Sequence, residues 1–92
     1  MIRYKKLNEN HAWCGSDKDL ELLLKDVDGD KAKITIKRDS EGFYHVVLWM
    51  SYENEYGRLR LEEEESRDDI EDIESAKVYA EELIKEFELS ER

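Results

Sequence analysis

The chain has no proline, one cysteine (Cys14) and only four glycines among its 92 residues. A single cysteine excludes an intramolecular disulfide framework and points to a reducing compartment, the cytoplasm. There is no Gly/Ser-rich linker and no internal repeat, so residues 1–92 read as one domain. No apolar run approaches the ~18 residues needed to cross a bilayer. The opening stretch "MIRYKKLNENHAW" is basic but has no apolar h-region, which fits neither a signal peptide nor an anchor. Positive charge is scarce where the chain ends. Residues 1–60 carry eleven basic and eleven acidic side chains, whereas residues 61–92 carry four and fourteen. The whole net charge of −10 therefore lies in the last third, which speaks against direct nucleic-acid or anionic-membrane binding there.

What is present is enough for a small core. Hydrophobic residues make up 39% of the chain, and two Trp, five Tyr and two Phe offset a charged fraction of 43%. That aromatic content excludes full disorder.

Three turn signals, "DVDGDK", "RDSEGF" and "NEYGR", separate runs of strand character. In "KAKITIK", Ala32, Ile34 and Ile36 alternate with polar residues, as in a half-buried strand. "FYHVVLWMSY" is apolar on both faces, as a central strand is. "RLRLE" alternates again. A four-residue loop 39–42 pairs Ile34 with Val47 and Ala32 with Trp49. A five-residue loop 53–57 pairs Trp49 with Leu61. These registers predict one core face made of Ala32, Ile34, Ile36, Val47, Trp49, Leu59 and Leu61.

The last third predicts a helix, since Ile70, Ile73, Ala76, Ala80, Leu83, Ile84 and Phe87 recur at three- and four-residue spacing. Ser66 with Asp69, or Asp72 with Ser75, suits its start. Residues 16–27 fit either a strand or a short helix. The "DG" turn favours the strand, which would set Lys25 opposite Lys31. The fold expectation is thus α+β, an antiparallel meander of three to four strands packed against one long C-terminal helix.

Motifs for chemistry are weak. In "DVDGDKAK" no frame puts acidic groups, glycine and a terminal glutamate at EF-hand spacing, so it reads as a turn. His11, Cys14 and His45 are too few for zinc, and no nucleophile elbow surrounds Cys14. No catalytic residue, cofactor or metal is expected, and the chain does not read as an enzyme.

Two surfaces stand out. In "LEEEESRDDIEDIE", the nine acids Glu62, Glu63, Glu64, Glu65, Asp68, Asp69, Glu71, Asp72 and Glu74 face only Arg67. Such a field suits a protein partner with a basic nucleic-acid-binding surface, by the counterion logic that drives real duplex binding. A solvated, helix-capping acidic face is the plainer reading. The other surface interleaves Tyr44, Met50 and Tyr52 with Lys33, Lys37, Arg58 and Arg60, the pattern of a single-strand nucleic-acid platform or a protein-binding face. Residues 1–27 folding over it would leave it as core.

The layout "EGFYHVVLW…YGRLRL…SAKVYAEELIKEF", carried by Gly42, Tyr44, Ala76, Lys77, Ala80, Glu81 and Leu83, resembles that of small acidic phage and prophage proteins. It spans residues 32–89. The class includes anti-CRISPR and other anti-defence inhibitors, some of them acidic nucleic-acid mimics. The resemblance implies a non-enzymatic inhibitor in the host cytoplasm, with no catalytic residues. Target and oligomeric state are left open.

Overall fold

The computed structural model describes residues 3–4 (backbone only), 11, 13–16 and 18–92. The elements are β1 (Arg3–Tyr4), β2 (Trp13–Ser16), β3 (Asp19–Lys25), β4 (Lys31–Arg38), β5 (Tyr44–Glu53), β6 (Leu59–Ile70), α1 (Ile73–Glu86) and β7 (Ser90–Glu91). The strands form one antiparallel sheet in the order β1-β2-β3-β4-β5-β6, with β7 pairing β3. The α+β expectation holds, with a longer sheet than expected. Residues 13–16 and 19–25 add two strands at its side instead of folding over a face; what was expected of residues 1–2, 5–10, 12 and 17 lies outside the described residues.

One loop design makes all three long hairpins. Asp26, Asp39 and Asn54 each open a five-residue loop with glycine fourth. Each side-chain oxygen accepts from the backbone N–H groups two and four residues on, at 2.9–3.0 Å. Gly29, Gly42 and Gly57 take positive φ, the left-handed conformation in which a Cβ is strained. The residue before each Asp or Asn therefore pairs with the residue two after the glycine: Lys25 with Lys31, Arg38 with Tyr44, Glu53 with Leu59.

That geometry corrects two expected registers. The loop after β4 has five residues, not four, so Ile34 faces Leu48 and Ala32 faces Met50. A one-residue slip exchanges the faces of a strand. The core face of β5 is Tyr44, Val46 and Leu48, while Val47 and Trp49 face the other way and are half-buried. The loop after β5 has the expected length but lies one residue later, pairing Trp49 with Glu63 rather than Leu61. Leu59 and Leu61 are exposed, not core. In the β3–β4 hairpin the strand reading and the Lys25–Lys31 register are correct.

The helix is shorter than the acidic run suggests. It starts at Ile73, where Asp72 caps it by accepting from the Ser75 N–H at 2.7 Å; Ser66 and Asp69 lie in β6. As a helix, residues 62–72 would stack like charges four apart, such as Glu64 over Asp68. As a strand they alternate sides and satisfy the backbone of β5.

The core lies between the sheet and α1. Leu20, Leu22, Leu24, Ala32, Ile34, Ile36, Val46 and Leu48 meet Ala76, Ala80, Leu83 and Ile84. Ala76 and Ala80, both fully buried, let the helix lie close to the strands. Trp13 closes one side of this core. Beyond α1, the Leu89 N–H reaches the Ile84 carbonyl and the Glu88 N–H the Lys85 carbonyl. This is a Schellman-type stop. It turns the chain into β7, and the Arg92 guanidinium then donates to the Leu24 and Ala32 carbonyls. No helix among the described residues is long and apolar enough to cross a membrane.

Candidate binding surfaces

Among the described residues β6 is an edge strand, bonded to β5 on one side only. Two irregularities, between Tyr44 and Val46 and between Leu48 and Trp49, each insert one extra residue in β6. Bulges and charge are how sheets keep an open edge from pairing with another chain. The acidic run therefore has a structural use that the sequence did not reveal, because nothing local marks a strand as an edge.

The nine acids do not form one row. Glu62 and Glu65 lie opposite Met50 and Leu48, on the helix side; Glu63 lies opposite Trp49, on the far side. Asp68 reaches His45 on that far side. Glu64 and Asp69 sit at the two bulges, Asp69 at φ 58°. Glu71 and Asp72 lie between β6 and α1, and Glu74 in the first helical turn.

Several of these carboxylates are held. The Tyr52 hydroxyl donates to Glu64, and the Tyr79 hydroxyl to Glu65 at 3.5 Å. Both interactions favour the neutral phenol, so both Tyr52 and Tyr79 have raised pKa values, Tyr79 chiefly through burial. Arg67 lies over the Tyr79 ring, 5.4 Å from its centroid. With Glu74, Ser75, Val78 and Glu82 it lines an open groove of about 330 Å³ between β6 and α1. Among the described residues, the side chains of Glu62, Glu63, Asp69 and Glu71 have no hydrogen-bond or ion-pair partner, and all four are exposed.

The aromatic and basic platform is divided by the corrected register. Tyr44 is buried in the core and Met50 packs against it. Tyr52 and Arg60 pair near the exposed end of the β5–β6 hairpin, on the helix side. Arg58 lies in the loop. Only Lys33 and Lys37 remain on the face away from the helix. There Lys33 lies 5.8 Å from the centroid of Trp49, whose indole N–H donates to the Thr35 hydroxyl at 3.1 Å.

A group that sequence reading missed surrounds His45. Its Nε2 lies 2.8 Å from Asp39 Oδ2 and its Nδ1 2.9 Å from Asp68 Oδ1. Hydrogen bonds to Asp68 and then Asp39 raise the His45 pKa, and the bond to His45 lowers that of Asp39. Asp39 is the residue that opens its hairpin loop, and this was the available signal. Two carboxylates on one imidazole hold a proton firmly. His11 lies 3.6 Å from Glu91, and Cys14 is half-buried in β2. Among the described residues no three His, Cys, Asp or Glu side chains converge on a metal position.

No family model, curated protein or solved structure matches the chain.

Proposed function

We propose that the chain is a non-enzymatic acidic binding protein that engages the basic, nucleic-acid-binding surface of another protein and blocks it. The observation that carries this reading is the exposed β6 edge and β6–α1 connection, with Glu62, Asp69 and Glu71 free of internal partners among the described residues. A net charge of −10 would speed encounter with a basic groove and repel nucleic acid itself. The resemblance of the sequence layout to that of small acidic anti-defence proteins makes nucleic-acid-handling defence proteins the first targets to try.

The test is capture of host proteins on the immobilised chain, followed by elution with duplex DNA. Proteins released by DNA are those held through a nucleic-acid site. The variant Glu62→Gln, Glu64→Gln, Asp69→Asn, Glu71→Gln should bind such a partner at least tenfold more weakly, about 1.4 kcal/mol. Equal binding by the variant, or a partner that DNA does not displace, would sink the reading.

A further inference from the structure

The face of the sheet opposite α1 carries no described element. Across it, hydrogen-bonded neighbours stand in rows. Lys33, Trp49 and Glu63 form one row, from β4 through β5 to β6. Lys37, His45 and Asp68 form a second. Val47 and Trp49, both half-buried, make an apolar ridge along β5 between the two charged flanks. The face is thus basic on β4 and acidic on β6, with the apolar Val47–Trp49 ridge and His45, held by Asp39 and Asp68, on β5 between them. Among the described residues Lys33, Lys37 and Glu63 have no ion-pair partner.

We propose that a second copy of this chain covers this face, related by a two-fold axis running along β5. The charge order selects both the occupant and the axis. Rotation about a line along β5 keeps each row at its level and exchanges the two flanks. β4 of one copy then lies over β6 of the other, Lys33 over the partner copy's Glu63 and Lys37 over its Asp68. The two Val47–Trp49 ridges meet on the axis, and beyond them the two His45 rings, each held between its own Asp39 and Asp68 and so not a bare positive charge. Rotation about a line across the strands would instead set β4 on β4 and β6 on β6, opposing like charges. Packed sheets stand about 10 Å apart, a gap that a lysine and a glutamate together span. Their mean strand directions differ by about 30°, which displaces the pairs least when they lie one strand from the axis, as these do. Only three strands of each copy overlap, so the contact falls at the small end of specific interfaces and the dimer is a weak one. Its assembly is separate from the proposed target binding, which uses the outer edge of β6.

Sedimentation equilibrium of the full chain at low salt, over roughly 5–500 µM to span a weak interface, tests the assignment. The wild type should pass from monomer to dimer. Lys33→Glu and Glu63→Lys, each folded by circular dichroism, should each weaken association at least about tenfold by opposing like charges across the axis. In a mixture of the two variants every cross-axis contact again sets a base against an acid, one in the native sense and one with the charges exchanged. Mixing should therefore restore wild-type association, which variants that had merely misfolded could not do. A wild type that stays monomeric throughout overturns the proposal, as do single variants that dimerise like the wild type or a mixture that stays monomeric. A monomer whose Lys33 and Lys37 bind a single-stranded oligonucleotide would assign the face to nucleic acid instead.

Discussion

The His45 Nδ1 lies 2.9 Å from Asp68 Oδ1, across the bulge that also sets Asp69 at φ 58°. Asp39 holds the other ring nitrogen. The folded state therefore prefers His45 charged, and its pKa is raised above the ordinary 6.5. The stability this supplies is fully present below pH 6.5 and fades as pH rises through the folded pKa. Asp39 has the opposite sign. Its lowered pKa supplies stability above pH 3.8 that is lost as pH falls through the folded value. The cluster contributes most between those limits. Melting temperature should decline from about pH 6 to about pH 8 in the wild type, and His45→Gln should flatten that decline. An equal slope in the variant would show that His45 does not set it.

The corrected register changes which side chain on β5 matters most. Leu48 is fully buried under α1, while Trp49 is half-exposed on the far face. Leu48→Ala should cost about 2–5 kcal/mol, the transfer loss plus a cavity. Trp49→Ala should cost less, about 1–2 kcal/mol, because only part of its ring leaves water on folding. Denaturant midpoints at low protein concentration, where association adds nothing, give the ranking. A greater loss at Trp49 would show that the far face is the core.

These two residues also show what the sequence could and could not convey. Alternation in "KAKITIK" and helical spacing from Ile73 to Phe87 report burial directly, so β4 and α1 were legible. "FYHVVLWMSY" is apolar on both sides, so its face depends on counting the loop. The shared pattern of Asp or Asn, then glycine three residues later, would have supplied that count at Asp39 as at Asp26. Of the acidic strand only the start, "RLRLE", was legible; the run from Glu63 to Ile70 was not. Its conformation comes from pairing with the full length of β5, and tertiary pairing overrides local preference. The His45 cluster joins Asp39 to Asp68, far apart in sequence, through a bulge that no local signal announces.

Glu88 offers a stabilising change. It sits at φ 52°, just past the helix, where glycine is the usual residue. A residue with a Cβ is strained there by roughly 1–2 kcal/mol, and a carboxylate at a helix C-terminus opposes the dipole. Glycine gives back part of the gain through a freer unfolded chain. Glu88→Gly should therefore raise stability by a net ~1 kcal/mol, several degrees in a domain of this size. An unchanged or lower melting temperature would mean that the Glu88 side chain makes a contact worth more than the strain.

The edge strand makes the final prediction, in which salt separates two kinds of association. Two β6 edges brought to hydrogen-bonding distance would set carboxylates about 5 Å apart, and their repulsion keeps the edges from joining. Screening at about 1 M salt shortens the reach of charge to about 3 Å, which should permit edge-to-edge pairing. The same screening weakens Lys33–Glu63 contacts across the open face. Raising salt should therefore first dissolve any dimer and later produce larger, strand-rich aggregates. The variant Glu62→Gln, Glu64→Gln, Asp69→Asn, Glu71→Gln removes the guard at low salt. Its thermal stability should stay within about 1 kcal/mol of wild type, since surface changes are usually small. Over days at low salt it should nevertheless aggregate faster, read by light scattering and by a growing β-sheet signal. If the variant stays as soluble as the wild type in both low and high salt, the acids of β6 are not guarding the edge, and partner binding becomes the one remaining use for them.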